Sequence, residues 1–187
     1  MLCCRYGGDP HKLFLVGHSA GGHAVACLAT SPKFLADAGV DKRRLCGVIP
    51  IGAGRLDRVQ GGILSKILCC CCASVFPAGT TTAVKQQMRP LVDVRTMDRA
   101  AAASVPPMLL VHGSHEMHSV ERAHVVFAGA ARAAGVECSM VALPGEAHLS
   151  ETLRVGLSDD ALTPVVLSWV RQRVEDAEGR GRAGHHV

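Results

Sequence analysis

The residue types best suited to chemistry in this chain are a serine, a carboxylate and a histidine that lie far apart in the sequence. Ser19 stands in the pattern Gly-x-Ser-x-Gly (residues 17–21, GHSAG), between the apolar run 13–16 and a helical pattern. In such a strand–turn–helix arrangement the serine lies at the apex of a sharp turn and its hydroxyl projects beyond the sheet. Gly17 and Gly21 leave room for backbone that would otherwise meet a Cβ. The pattern predicts that Ser19 is a nucleophile rather than part of an ordinary tight turn.

A serine hydroxyl needs a base to remove its proton, and the base needs an orienting partner. Glu116 is the first carboxylate after the apolar strand that begins at Met108, and His148 follows the next strand in the loop 144–148 (PGEAH). The stretch between them accommodates one helix and one strand. We therefore predict Glu116 as the orienting acid and His148 as the base, with the backbone N–H of Ala20 as an oxyanion donor at the helix N-terminus.

Each of these assignments has a plainer alternative. Glu116 is then a loop carboxylate, and His148 is a surface-loop histidine with Glu146 as a solvated charge beside it. His18 is predicted to pack in the turn around Ser19, and His23 and His112 are predicted to be structural. His112, His115 and His118 suggest a metal cluster, but at their spacing no carboxylate or cysteine completes the ligand set. The sequence thus indicates no metal and no cofactor.

The elements that must position these residues alternate between apolar strands and helices. Strands are predicted at 13–16, 45–51, 108–111 and 137–143. Helices are predicted at 20–30, from an N-cap at Ser119 to 134 with Gly135 as the stop, and from the Thr163–Pro164 pair onward. Strands that are apolar throughout indicate a mostly parallel sheet covered on both faces, which is an α/β three-layer sandwich.

Composition narrows the class of partner. The chain has 187 residues, a formal charge of +4 and 3% aromatics, without a dense basic face, so nucleic acid is an unsuitable partner. No stretch reaches the roughly 18 apolar residues of a spanning helix. Nine cysteines, an odd number, favour a reducing compartment over a disulfide framework.

Four adjacent cysteines lie within an apolar stretch of the region that is hardest to interpret, residues 55–105. The plainer interpretation is a cap-like insertion in which cysteine acts as a small hydrophobe. A membrane-associated segment whose cysteines are S-acylated is the alternative, and the two are compatible. Residues 1–176 are predicted to form one domain that contains this insertion, and residues 177–187 a disordered tail. The four residues are Cys69, Cys70, Cys71 and Cys72.

Four blocks of the sequence follow one another along the chain: 6–10 (YGGDP), 17–23 (GHSAGGH), 107–113 (PMLLVHG) and 144–148 (PGEAH). In this order they resemble blocks of α/β-hydrolase esterases, in the group with kynurenine formamidase-like and isoprenylcysteine methylesterase-like enzymes. The resemblance implies a Ser-His-acid hydrolase of a small-molecule ester or amide that needs no cofactor.

The chain departs from that group in two ways. Glu116 stands where the group usually has aspartate, and the early strands with a His-Gly-Gly type loop, a source of a second oxyanion donor, do not precede Ser19. We therefore expect the C-terminal part of an α/β-hydrolase fold, truncated at the N-terminus. Two functions remain open from the sequence: an ester or amide hydrolase, or a non-catalytic hydrolase-like protein that binds a membrane or partner.

Overall fold

The computed structural model describes residues 5–54, 56 and 88–183. Four strands alternate with helices along this part of the chain. In chain order the elements are β1 (Leu13–His18), α1 (Ala20–Thr30), α2 (Phe34–Asp37), a 3₁₀ turn (Lys42–Arg44), β2 (Leu45–Ile51), α3 (Pro90–Thr96), α4 (Arg99–Ala103), β3 (Met108–Gly113), α5 (His118–Ala134), β4 (Cys138–Leu143), α6 (Ser150–Leu153) and α7 (Leu162–Ala183).

The strands form one sheet in the order β1-β2-β3-β4, and every neighbouring pair is parallel. His18 pairs with Ile51 at the end of β1, and Gly113 pairs with Leu143 at the end of β3. All four strands consequently end at the same edge, which we call the carboxyl edge. Loops that leave this edge are the usual position of a site in open α/β sheets.

Hydrophobic residues pack on both faces of the sheet, as the apolar strands predict. Val48 and Leu110 belong to one core cluster with apolar residues of α1, α3 and α5. Ile49 and Val111 point to the opposite face and form a second cluster with α7. The prediction of an α/β three-layer fold with a parallel sheet is therefore confirmed.

The strand and helix predictions hold closely, but two helix starts differ from expectation. Met117, not Ser119, is the N-cap of α5. At the start of α7 the carboxylate of Asp160 accepts hydrogen bonds from the N–H groups of Leu162 and Thr163, at 3.0 and 2.9 Å, so Asp160 rather than Thr163 satisfies the first amides. At the other end of α5, Gly135 has a φ of 94° and stops the helix as predicted.

The predicted insertion 55–105 lies mostly outside the described residues, including Cys69, Cys70, Cys71 and Cys72. Its described end, α3 and α4, contributes buried residues such as Leu91 and Ala102 to the main core. The last helix continues to Ala183, further than the end of the domain at 176 that the sequence suggests. Residues 184–187 of the predicted tail are not among those described. Among the described helices, none is long and apolar enough to cross a membrane.

Candidate active site

Ser19 lies between the end of β1 and the start of α1, and its backbone is strained. Its φ of 55° and ψ of −115° make it the one non-glycine residue with positive φ in the described chain. Such a conformation persists only where the surroundings hold it, and strain of this kind concentrates at functional sites. Here the Ser19 N–H donates to the carbonyl of Ile51 at 2.8 Å, which ties the turn to β2.

The glycines around Ser19 allow the close approach of strand and helix. A Cβ at Gly17 would overlap the backbone carbonyl of Gly21. A Cβ at Gly22 would come 2.9 Å from both the side chain of Ala53 and the carbonyl of Ile51. By contrast, a Cβ at Gly21 would meet open space, so the expectation that Gly21 relieves crowding is wrong and Gly22 has that part.

The structure brings Ser19, His148 and Glu116 together at the carboxyl edge. His148 Nε2 lies 2.9 Å from Ser19 Oγ, and His148 Nδ1 lies 2.8 Å from Glu116 Oε2. Both contacts are satisfied when Nδ1 carries the proton and donates to the carboxylate while Nε2 accepts from the hydroxyl. The three side chains therefore form a continuous hydrogen-bonded chain with an orientation suited to proton transfer from serine to histidine.

The carboxylate of Glu116 is fixed on both oxygens. Its side chain is 1% exposed, and its second oxygen, Oε1, accepts from the N–H of Met117 at 2.8 Å. The loop turns back so that the Glu116 N–H donates to the carbonyl of Gly113 at 3.1 Å. This turn places the longer glutamate side chain within reach of the imidazole. His148, by contrast, keeps 25% of its side chain exposed and remains open to solvent.

The loop that carries His148 is built around a buried carboxylate, Glu146. Glu146 is 3% exposed, so its interpretation as a solvated charge is wrong. Its side chain accepts a hydrogen bond from Ser150 Oγ and lies 3.6 Å from Arg154 Nη1, while its carbonyl accepts from the N–H of His115 at 2.8 Å. These contacts tie the His148 loop to α6 and to the loop of Glu116.

Ala20 is the first residue of α1 and directly follows Ser19. Its N–H belongs to the first turn, where amides have no partner within the helix. The positive end of the helix dipole lies at the same point. This position suits the predicted stabilisation of an oxyanion beside Ser19.

Sequence reasoning missed one residue at this edge, Glu151 in α6, and interpreted His18 as packing. The Glu151 side chain is fully buried and its Oε1 lies 3.2 Å from His18 Nε2. His18 Nε2 donates to the backbone carbonyl of His148 at 2.7 Å. The neighbouring Glu151 carboxylate raises the pKa of His18 despite partial burial. No sequence pattern marks a glutamate three residues after a histidine as buried.

Five other described histidines lie away from these contacts. His115 and His118 are exposed, and His118 is 3.6 Å from Glu121. His112 is buried against His124, with ring centroids 5.3 Å apart. His23 lies on α1 beside the buried thiol of Cys27, and burial lowers the pKa of His23.

Among the residues that the structure describes, one group of side chains has ligand atoms close enough to one another to hold a metal ion. His18, His148 and Glu151 offer such atoms within 4.8 Å of one another. Both ring nitrogens of His148 already face Glu116 and Ser19, and His18 Nε2 donates to a carbonyl. A metal at this place would displace those contacts, so the absence of a metal requirement stays our prediction.

No protein-family model matches the chain, and neither does any curated protein sequence. Solved structures do match. Esterase 2 of Thermogutta terrifontis, phosphoramylated by tabun, aligns with 91% of this chain and 56% of its own at 23% identity, with a TM-score of 0.58. Esterase B of Lactobacillus Rhamnosis aligns with 98% and 58% at 17% identity, with a TM-score of 0.67.

An esterase/lipase from an uncultured bacterium gives a similar result, with 92% of this chain and 56% of the other aligned at 20% identity and a TM-score of 0.53. The chain thus spans a little over half the length of the structures it matches. At these identities the likeness concerns the fold alone. The described sheet and helices therefore share the α/β fold found in these esterases.

Proposed function

We propose that this chain is a serine hydrolase that cleaves carboxylic esters. The observation that carries the proposal is the hydrogen-bonded chain from Ser19 Oγ through the His148 ring to Glu116, with contacts of 2.9 and 2.8 Å, at a strained turn. A hydroxyl becomes a useful nucleophile when an oriented base removes its proton. The likeness to solved esterases adds support from the fold.

The proposed reaction has two steps. Ser19 Oγ attacks the carbonyl carbon of the ester while His148 Nε2 takes its proton. His148 then returns that proton to the departing alcohol, which leaves an acyl group on Ser19. In the second step water attacks the acyl carbon while His148 Nε2 takes a proton from it. His148 then returns that proton to Ser19 Oγ as the bond between Oγ and the acyl carbon breaks, and the acid is released. Glu116 holds the Nδ1 proton and stabilises the imidazolium that forms in each step.

The negative oxygen that forms in each step needs hydrogen-bond donors. The N–H of Ala20 is the donor we propose, because it lies at the first turn of α1 beside Ser19. Removing one oxyanion donor from a serine hydrolase commonly costs about 10²–10³ in rate. This contribution comes from the backbone, so it depends on the turn at Ser19 rather than on any side chain.

We propose short or medium acyl esters as the substrate class. Apolar side chains flank two members of the site in the sequence: Met117 follows Glu116 and is 51% exposed, and Leu149 follows His148 and is 62% exposed. Thermogutta terrifontis esterase 2 has been described with propionate and butyrate bound and in a form phosphorylated by paraoxon. These acids are the products expected of short acyl esters.

The direct test is hydrolysis of 4-nitrophenyl butyrate by the full chain. Ser19→Ala is expected to lower kcat by a factor on the order of 10⁶, as for removal of other serine nucleophiles. The matched control is Ser168→Ala, since Ser168 is an exposed serine on α7 and is expected to leave kcat unchanged. Equal hydrolysis by wild type and Ser19→Ala would contradict the proposal. The same pair assayed on butyryl 4-nitroanilide distinguishes esters from amides.

A further inference from the structure

Glu151 presents an electrostatic problem that the proposed reaction does not explain. Its side chain is fully buried, and neither carboxylate oxygen makes a hydrogen bond with any described group. A buried carboxylate without partners costs several kcal/mol unless a positive charge compensates it. His18, 3.2 Å away, is the group at ion-pair distance among the described residues.

His18 connects this carboxylate to the main chain of His148. The Nε2–H of His18 points at the His148 carbonyl, 2.7 Å away, and a single N–H cannot also aim directly at Glu151. The two imidazole rings lie 4.9 Å apart between centroids at 40°. His18 immediately precedes Ser19, so one contact joins the residue before the nucleophile to the backbone of the base.

The backbone at Gly52, next to Glu151 and His148, leaves no space for a side chain of its own. Gly52 follows β2 with a φ of +53°. A Cβ at this position would overlap Glu151 Oε1 and would lie 3.2 Å from His148 Nδ1. The absence of a side chain at Gly52 thus lets the buried carboxylate and the His148 ring occupy neighbouring positions.

We propose that His18 and Glu151 are positioning residues, a second histidine–carboxylate pair that holds the main chain of His148 in place. Glu116 orients the imidazole ring of His148, whereas His18 fixes the carbonyl of the same residue and Glu151 holds His18 in its place. Neither His18 nor Glu151 contacts the hydroxyl of Ser19 in this account. The inference rests on the proposed function, because the benefit of a fixed His148 is proton transfer from Ser19.

The charge of Glu151 supports this arrangement from a separate direction. The Glu151 contact is the largest cause of the raised pKa of His18, so His18 stays protonated to higher pH than a free histidine. A protonated His18 is a stronger donor to the His148 carbonyl, since charge-assisted hydrogen bonds exceed neutral ones. The contact between Glu151 and His18 therefore strengthens the hydrogen bond from His18 to the carbonyl of His148.

The test compares His18→Leu, Glu151→Leu and His18→Gln in the full chain. The glutamine Nε2 stands near the position of the histidine Nε2, so His18→Gln keeps a donor for the His148 carbonyl, whereas leucine removes it. Displacement of a catalytic group by about 1 Å can cost about 10²-fold in rate. We expect both leucine variants to lose about 10²-fold in kcat on 4-nitrophenyl butyrate with little change in KM. His18→Gln is expected to recover most of that loss.

The matched control is His118→Leu, because His118 has an 86% exposed side chain. Thermal unfolding of each variant separates loss of fold from loss of position. A second readout needs no activity: the Nδ1 proton of His148, shared with Glu116, is expected as a downfield proton resonance in wild type. We expect the leucine variants to broaden or lose it and His18→Gln to keep it.

Wild-type kcat and an unchanged resonance in folded His18→Leu and Glu151→Leu would overturn the inference. Equal loss of kcat in His18→Gln and His18→Leu would overturn it as well, since the donor would then be irrelevant. If wild type hydrolyses no ester but its downfield resonance disappears in the leucine variants, the proposed function fails while the positioning role is supported.

Discussion

Histidines gather in two regions of this molecule, and their surroundings are opposite. At the carboxyl edge, both ring nitrogens of His148 and the Nε2 of His18 have polar partners within 2.9 Å. Between β3 and α5, His112 Nδ1 and both ring nitrogens of His124 are buried without a hydrogen bond to any described group. The backbone of Ala53 faces His124 but does not reach hydrogen-bond geometry.

The surroundings of a histidine, rather than the residue type, decide whether it carries a charge at neutral pH. Glu151 raises the pKa of His18, whereas burial lowers the pKa of His124 to about 4. At neutral pH the buried region consequently holds a neutral ring that packs as an apolar group. At the carboxyl edge, by contrast, the Glu151 carboxylate favours the protonated form of His18. Proton-transfer chemistry is expected at the edge, and a contribution to pH-dependent stability in the interior.

The largest expected effect comes from breaking the partner of His148. In Glu116→Gln the amide can donate to Nδ1, which favours the tautomer whose Nε2 carries a proton and cannot accept from Ser19. The equivalent change in a serine protease lowers kcat by about 10⁴-fold, and we expect a similar loss on 4-nitrophenyl butyrate. Glu121→Gln, at a carboxylate that is 53% exposed, is the matched control. If the kcat of Glu116→Gln stays within about 10-fold of the wild-type kcat, Glu116 is not the residue that orients His148.

The next effect tests the space at the carboxyl edge. Gly52→Ala places a methyl group against Glu151 Oε1 at a positive φ, so we expect kcat to fall by about 10²-fold. The unfolding free energy is expected to fall by more than about 1 kcal/mol in chemical denaturation. Gly129→Ala is the control, because a Cβ there meets open space on α5 and alanine favours the helix. Full activity in Gly52→Ala would show that the site is less crowded than its geometry indicates.

The buried region gives a smaller effect that depends on pH. The native pKa of His124, about 4, lies below its unfolded value of about 6.5, so its contribution to stability is complete above pH 6.5. That contribution is lost as the pH falls towards 4, which amounts to about 3 kcal/mol for a single group. We expect His124→Leu to remove this acid sensitivity, as measured by denaturant unfolding at pH 7 and pH 4.5.

His118→Leu is the control for the His124 experiment, because His118 lies on the same helix and is exposed. Its unfolding free energy is expected to change between pH 7 and pH 4.5 by the same amount as that of wild type. If wild type and His124→Leu lose the same unfolding free energy between pH 7 and pH 4.5, His124 does not control the acid stability.

The smallest expected effect lies outside both regions. Asp160 accepts hydrogen bonds from the first amides of α7. The hydrogen bond from the Thr163 side chain, together with those from these amides, lowers the pKa of Asp160 to about 2. Asp160→Ala is expected to lower Tm by about 2–4 °C, the shift typical of a lost cap in a domain of this size. Its kcat should equal that of wild type. A large loss of kcat would mean that the carboxyl edge is coupled to the start of α7.

The sequence predicts the fold well, because the spacing of apolar residues distinguishes strands from helices and the strands that are apolar throughout indicate a parallel sheet. Strands that are apolar on both faces require a covered parallel sheet, and parallel strands end at one edge. Residues that follow three such strands, Ser19, Glu116 and His148, must then lie at the same edge of the sheet. That shared edge could be predicted from the sequence, whereas the contacts among the three side chains depend on the loops that carry Glu116 and His148.

The features that the sequence did not predict depend on local backbone geometry. Whether a threonine or an aspartate caps a helix depends on where the first amides point, and in α7 they point at Asp160 rather than at Thr163. Glu146, in the loop after β4, and Glu151, in α6, are buried because this segment packs against the carboxyl edge. The carbonyl of Glu146 accepts from the N–H of His115, and Glu151 lies against Gly52. Glutamate is rarely fully buried, so no pattern distinguished these two from solvated carboxylates.

The central claim is that the Ser19 hydroxyl is activated by the side chains that meet it at the carboxyl edge. The most direct measurement is peptide mapping by mass spectrometry after the folded full chain reacts with a fluorophosphonate probe. We expect one adduct, on Ser19, and we expect it to form much more slowly in Glu116→Gln. A folded chain that stays unmodified, or one that is modified elsewhere while Ser19 remains free, would contradict it.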